Sequence, residues 1–135
     1  MNLTKLFEIQ AGLDYHITKE HPEQNDENRL SKKVLALQVE LGECANEWRG
    51  FKFWSNDQVA RENLLLEEYV DCLHFLLSIG NTLNFRYLLP YKKPLETDVV
   101  DLFNLIFEHI SFFTRQRVSK SRILLNGFQG IHRIR

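Results

Sequence analysis

The sequence contains few of the residues that interrupt helices or cross-link chains. Its 135 residues include three prolines, six glycines and two cysteines. The cysteines, Cys44 and Cys72, do not form a CxxC pair. We interpret them as small buried side chains of a protein kept in a reducing cytosol.

Charge of one sign, long apolar runs and strand-like alternation are also missing. The formal net charge is -1, so no overall field favours a nucleic acid or an anionic membrane as a partner. The most apolar segment, residues 63–80, still contains three acidic side chains and a histidine, which argues against a membrane span. Because the N-terminal segment also lacks the pattern of a signal peptide, we expect a cytoplasmic protein with no nucleic-acid or membrane partner.

What the sequence does contain is apolar residues at helical intervals along most of its length. The predicted helices cover about residues 2–18, 30–49, 57–84 and 98–118. Asn56 or Asp57 is expected to cap the third helix, and Thr97 or Asp98 to begin the fourth. These elements predict an all-α fold, most simply an antiparallel four-helix bundle.

Two of the predicted helices carry an apolar stripe that should face the core. The stripe of the second helix comprises Val34, Leu37, Leu41, Cys44 and Trp48, and Gly50 is expected to end that helix. The stripe of the fourth comprises Val100, Phe103, Ile106, Phe107, Ile110 and Phe113. The third helix is apolar nearly all round, which indicates the centre of the bundle. The segment FKFWSND between the second and third helices is interpreted as a packed connector.

Carboxylates interrupt two of these apolar patterns. The second predicted helix carries Glu40 and Glu43 three residues apart, and the third carries Glu68 and Asp71 at the same spacing. The chain between the pairs is long enough to end one helix and return along the next, so both pairs are expected to face one cleft. Spacing alone leaves open the alternative that each pair belongs to a solvated helix face.

Four carboxylates in one cleft repel each other unless protons or cations neutralise them. Two unit charges about 4 Å apart at an effective dielectric constant near 20 interact by roughly 4 kcal/mol. Oxygen ligands suit a hard cation, so Mg²⁺ is the predicted ion and Mn²⁺ its substitute. Mg²⁺ commonly shares a substrate phosphate, which makes the carboxylates a candidate phosphate-handling site.

A di-iron centre of the ferritin type is the rival metal site. It needs a Glu-x-x-His motif on two helices. Asp71 and His74 supply one carboxylate-x-x-His, whereas Asn46 follows Glu43 at the matching position. We therefore interpret His74 as a core residue or a support for the ligands rather than as a ligand.

Three segments resemble the dimeric dUTPase branch of the all-α, MazG-like nucleotide pyrophosphohydrolases: LFEIQAGLDYHI, ELGECANEWRGFKFW and LEEYVDCLHFLLSIG. The resemblance covers about residues 2–118. It implies the four-helix core of the all-α NTP pyrophosphohydrolases and hydrolysis of dUTP to dUMP and pyrophosphate with Mg²⁺. It also implies a homodimer, which agrees with the apolar circumference of the third helix.

The resemblance further implies the residues of the site. Its metal ligands would be Glu40, Glu43, Glu68 and Asp71. The chemistry of the step, rather than the resemblance, favours Glu43, or otherwise Glu40, as general base. Glu47, one turn further along the helix, would support the ligands or simply face solvent.

The nucleotide would meet a second set of residues, which are Gln10, Asp14, Phe51, Lys52 and Trp54. Gln10 and Asp14 would face the base and the sugar. Trp54 and Phe51 would line the uracil pocket, and Lys52 would meet a phosphate. Ordinary structural roles stay open for Gln10 as an exposed helix residue, Lys52 as a solvated lysine and Trp54 as a core residue.

The C-terminal part departs from the family pattern. A segment resembling the start of the family's fifth helix is followed by GIHRIR, without the Lys-Asn-x-x-Asn-type motif that contributes to phosphate and base binding. We expect one pyrophosphohydrolase domain over residues 1–118 and a short, truncated or disordered tail over residues 119–135. Two alternatives to a dUTPase stay open: a pyrophosphohydrolase for another (deoxy)nucleoside triphosphate and a non-catalytic helical homologue.

Overall fold

The computed structural model describes residues 2–84 and 97–116. Within these ranges the chain forms four helices and no strand, which confirms the all-α prediction. The helices are α1 (Leu3–Glu20), α2 (Arg29–Trp48), α3 (Glu62–Thr82) and α4 (Val99–Gln116). None of these helices is both long and apolar enough to cross a membrane. The predicted tail, residues 119–135, lies outside the described residues.

Short polar side chains fix the beginnings of three helices. Asn2 Oδ1 accepts a hydrogen bond from the Lys5 amide at 3.2 Å, and Asn28 Oδ1 accepts one from the Ser31 amide at 3.0 Å. These bonds satisfy amide groups that have no partner within the first turn of α1 and α2. Asp98 does the same before α4, as predicted, with its Oδ1 2.8 Å from the amide nitrogen of Val100.

The predicted cap of α3 is wrong. That helix begins at Glu62, and its N-cap residue, Arg61, makes no side-chain capping bond. Asp57 is engaged elsewhere, because the guanidinium of Arg49 donates two hydrogen bonds to its carbonyl oxygen and pairs with its carboxylate at 3.1 Å. These contacts tie the connector to the C-terminal end of α2. The Arg61 amide, just before α3, adds a hydrogen bond to the Glu47 carbonyl at 3.0 Å.

Side-chain contacts show how the helices are arranged. Lys33 near the start of α2 contacts Thr82 at the end of α3, so the two helices run antiparallel. Trp48 at the end of α2 stacks on Phe103 near the start of α4, with ring centroids 5.7 Å apart, and α2 and α4 are therefore antiparallel as well. Helix α1 packs against α3.

The core consists of apolar side chains from α2, α3 and α4. Its buried members are Val34, Leu37, Leu41, Cys44, Tyr69, Cys72, Leu76, Ile79, Leu102, Phe103, Ile106 and Ile110. This confirms the predicted stripe of α2, in which Trp48 is partly buried. On α4 the prediction is wrong for Val100, which is 37% exposed, because the buried face is centred on Leu102, Ile106 and Ile110. The side chain of Phe113 lies outside the described residues.

The connector after α2 is tightly turned but not packed. Helix α2 ends at Trp48 because Arg49 adopts the left-handed conformation, with φ of 65°. Gly50 is required for a close approach, since a Cβ atom there would lie 2.4 Å from the Trp48 ring. Phe53 and Trp54 are 86% and 66% exposed, so the prediction of a packed connector is wrong.

Candidate functional site

The antiparallel pairing of α2 and α3 brings three of the predicted ligands together. One carboxylate oxygen from each of Glu40, Glu68 and Asp71 lies within 4.8 Å of the others. Glu40 and Glu68 are partly buried, whereas Asp71 is exposed. We call these three residues the carboxylate cluster.

Burial and mutual repulsion raise the pKa values of two members of the carboxylate cluster, Glu40 and Glu68. Burial raises the pKa of Glu40, and the charges of Glu43 and Asp71 raise it further. Burial likewise raises the pKa of Glu68, followed by the charge of Glu43 and then by those of the other neighbouring carboxylates. A hydrogen bond with Glu68 partly offsets this shift, because it lowers the pKa of Glu40. Both carboxyls therefore hold their protons more tightly than an isolated glutamate does.

Glu43, the fourth predicted ligand, lies beside the carboxylate cluster but outside the group of converging oxygens. Its side chain is exposed, and no hydrogen bond or ion pair involving it is found within residues 2–84 and 97–116. It is near enough for its charge to raise the pKa of both Glu40 and Glu68. Glu47, one turn further along α2, pairs with Arg61 at 3.4 Å.

The carboxylate cluster fits a hard cation. Its three donors are all carboxylate oxygens, which Mg²⁺ and Mn²⁺ prefer over softer metals. The exposed Asp71 leaves one side of the cluster open, as an ion that retains water or shares a phosphate requires. A divalent cation would also offset the mutual repulsion that raises the pKa values of Glu40 and Glu68.

A cleft of about 650 Å³ lies between α1, α2 and α3, beside the carboxylate cluster. Asp71 belongs to both. The apolar part of the cleft wall comprises Leu13, Ile17, Ala36 and Phe75. The polar residues of the wall include Gln10, Asp14, His74 and Ser78, and the other polar or charged ones are Thr18, His21, Glu27, Arg29, Lys32, Lys33 and Asp71. Apolar walls with a few fixed polar groups are typical of a site for a small organic ligand.

The polar groups of the cleft are bonded to one another across two helices. Gln10 Nε2 donates to Asp14 Oδ1 at 2.9 Å, and Gln10 Oε1 lies 2.7 Å from His74 Nδ1. The Ser78 hydroxyl lies 2.8 and 2.9 Å from the two carboxylate oxygens of Asp14. Lys33 from α2 approaches the same carboxylate at 3.9 Å. Both predicted nucleotide contacts on α1 thus lie in the cleft, and Gln10 is only 4% exposed.

The lysine and arginine side chains that line the cleft already have acidic partners. Arg29 and Lys32 both pair with Glu27, at 3.1 and 2.7 Å. Lys33 is shared between Asp14 and the hydroxyl of Thr82. Among the described residues that line the cleft, each lysine and arginine is therefore partly neutralised within the protein.

The remaining predicted nucleotide contacts lie on the connector and do not line this cleft. Phe51 and Trp54 form an edge-to-face pair with ring centroids 5.8 Å apart. The ammonium of Lys52 donates to Asn46 Oδ1 at 2.6 Å and lies 5.7 Å from the centre of the Phe51 ring. These side chains form a separate aromatic surface.

Sequence reasoning missed Ser78 and Lys33 and assigned His74 only a supporting role. A signal for two of them was available, because His74 and Ser78 follow Asp71 by three and seven residues and so share its face of α3. No comparable signal exists for Lys33, whose contact with Asp14 depends on how α1 and α2 are placed.

A family model described as dUTPase matches residues 2–134 of the chain. The match extends beyond residue 118, where the resemblance noted from the sequence ends. No curated protein and no solved structure gives a significant match.

Proposed function

Because the chain belongs to the dUTPase family and is thereby a dUTP diphosphatase, we propose that it converts dUTP to dUMP and pyrophosphate with Mg²⁺ held by the carboxylate cluster. The observation that carries the proposal is the convergence of Glu40, Glu68 and Asp71 beside a cleft sized for a small organic ligand. Asp71, which belongs to both, would place the phosphates at the cluster and the nucleoside along the cleft.

The charge balance of the cleft supports a requirement for a cation. A nucleoside triphosphate brings several negative charges, and the described lysine and arginine residues of the cleft already face Glu27 or Asp14. When bound, a divalent cation would neutralise phosphate charge and acidify a coordinated water. Glu40, Glu68 and Asp71 would hold that ion.

Glu43 is the proposed general base, which accepts a proton from the attacking water. Its carboxylate lies beside the carboxylate cluster and has no described partner of its own. Glu40 is less suited, because it is partly buried and hydrogen-bonded to Glu68. Positioned bases typically contribute about 10²–10⁴-fold to the rate.

We also propose that the protein is a homodimer. Helix α3 exposes Leu64, Leu66 and Val70 to between 39% and 41%, and the connector exposes Phe53 and Trp54 further. Apolar surface of this kind is typical of an interface.

The dimer also bears on the remaining nucleotide contacts. Phe51, Lys52 and Trp54 stay proposed contacts, and because they do not line this chain's cleft, we propose that they contact a nucleotide bound to the second copy of the chain.

The free, buried thiols of Cys44 and Cys72 support a reducing compartment, for which we propose the cytoplasm.

The test is pyrophosphate release from dUTP, dCTP, dTTP and dATP, with and without Mg²⁺. We expect Mg²⁺-dependent release from dUTP. Glu43→Gln should lower kcat by about 10²–10⁴-fold, whereas the control Glu108→Gln, an exposed glutamate on α4, should not. Pyrophosphate release from another nucleotide instead would mean that the enzyme has a different substrate but uses the same metal site. No release from any nucleotide would contradict the proposal.

Sedimentation at micromolar protein tests the dimer separately. A purely monomeric profile would contradict it.

A further inference from the structure

Asp14 fixes the orientation of the Gln10 side chain in the middle of the cleft. The Asp14 carboxylate accepts hydrogen bonds from Ser78 and from Gln10. A carboxylate offers only acceptors, so the amide of Gln10 must turn its Nε2 towards Asp14. The Oε1 atom of Gln10 consequently faces α3.

The orientation of Gln10 in turn determines which ring nitrogen of His74 carries the hydrogen. Gln10 Oε1 lies 2.7 Å from His74 Nδ1, and an amide oxygen can only accept, so Nδ1 must carry the hydrogen. In a neutral imidazole with the hydrogen on Nδ1, the other ring nitrogen, Nε2, is a hydrogen-bond acceptor. Asp14, Gln10 and His74 thus form a relay that presents an acceptor at a defined place.

The Nε2 acceptor of His74 would lie near the nucleoside part of a nucleotide whose phosphates are bound at the carboxylate cluster. His74 lines the cleft, as does Asp71 three residues earlier on the same face of α3. The apolar side chains of Leu13, Ile17 and Phe75 line the same cleft and suit the faces of a planar ring.

We propose that His74 determines base specificity, with Nε2 accepting a hydrogen bond from the N3–H group of uracil. The inference rests on the proposed hydrolysis of dUTP and adds the residue that distinguishes the base. Cytosine carries a lone pair at N3, so two acceptors would face each other and neither would be satisfied. A site that bonds one edge of a base discriminates against an analogue lacking the donor.

Two substitutions of His74 distinguish the role of its Nδ1 atom from that of its Nε2 atom. In His74→Asn the shorter amide reaches the position of Nδ1 and can still donate to Gln10, but no atom replaces Nε2. In His74→Gln the longer amide reaches the position of Nε2 and can restore the acceptor. The control is His16→Asn, the same change at an exposed histidine of α1 that does not line the cleft.

The readout is kcat/KM for dUTP divided by kcat/KM for dCTP. One hydrogen bond left unmade corresponds to about a tenfold to hundredfold change, so His74→Asn should lower the ratio by that factor. His74→Gln should lower the ratio less, and His16→Asn should leave it unchanged. A merely structural role of His74 would reduce both activities together and keep the ratio, which would overturn the inference while leaving dUTP hydrolysis intact.

Nuclear magnetic resonance of the ¹⁵N-labelled wild-type protein gives a second test that needs no turnover. We expect the hydrogen of neutral His74 on Nδ1, and finding it on Nε2 would overturn the relay. If the wild-type enzyme released no pyrophosphate from dUTP at all, the proposed function would fail, and the specificity inference with it.

Discussion

Neutralising one member of the carboxylate cluster should stabilise the metal-free protein and weaken its response to Mg²⁺. The change is Glu68→Gln. Carboxylate oxygens of the cluster lie within 4.8 Å of one another, and two unit charges at that limiting distance repel by roughly 3.5 kcal/mol at an effective dielectric constant near 20. The solvent exposure of Asp71 reduces this repulsion, and a glutamine amide can still donate to Glu40. We therefore expect a gain of about 1 kcal/mol, which for a domain of this size raises Tm by about 4 °C.

In the presence of Mg²⁺, Glu68→Gln should instead make the protein less stable than the wild type. A cation at 100 times its dissociation constant stabilises the native wild-type protein by about 2.7 kcal/mol. Glu68→Gln removes one of three ligands and should lose most of that gain.

Thermal unfolding with and without Mg²⁺ measures both effects. The matched control is Glu67→Gln, the adjacent exposed residue, which does not belong to the cluster and should keep the wild-type response. If Glu68→Gln lowered Tm without metal, or kept the full shift with Mg²⁺, the account of the cluster would be refuted.

Three further predictions concern the packing and the ion pairs. Hydrogen bonding from Lys32, then from the backbone at Gln24, lowers the pKa of Glu27 from 4.5 to about 2. Glu27→Gln should therefore reduce stability above pH 4.5, and its difference from wild type should shrink as the pH falls from 4.5 and vanish below about pH 2, as denaturant unfolding at several pH values would show. Leu41→Ala, at a fully buried site, should cost about 2–5 kcal/mol, whereas equally large loss at the exposed Leu35→Ala would contradict the assigned core. Arg49→Met should cost about 1.5–3 kcal/mol and speed proteolysis of the connector, and unchanged proteolysis would argue against the Arg49 contact as its anchor.

The helices could be predicted from the sequence because each depends on local periodicity. Apolar residues recur at helical spacing in all four, and the stripe of α2 is buried as expected. The start of α3 could not be predicted in the same way. Asp57 is a good capping residue by type, but Arg49 engages it through a contact that no local pattern specifies.

The carboxylate cluster could also be predicted, since two pairs of acids at helical spacing on adjacent helices must meet if the helices pack on those faces. The separate position of Glu43 could not, because it depends on the rotation of α2 against α3. The same holds for the bond between Gln10 and His74, whose residues lie on different helices. The exposure of Trp54 contradicts the expectation that large aromatic side chains of a connector pack against the core.

The most direct test of the central claim is a crystal structure with Mn²⁺ and a non-hydrolysable dUTP analogue, using anomalous scattering to locate the metal. We expect a manganese peak within coordination distance of carboxylate oxygens of Glu40, Glu68 and Asp71, with the analogue's phosphates at the same ion. We also expect the uracil ring in the cleft beside His74. A metal bound elsewhere, with these three carboxylates uncoordinated, would contradict it.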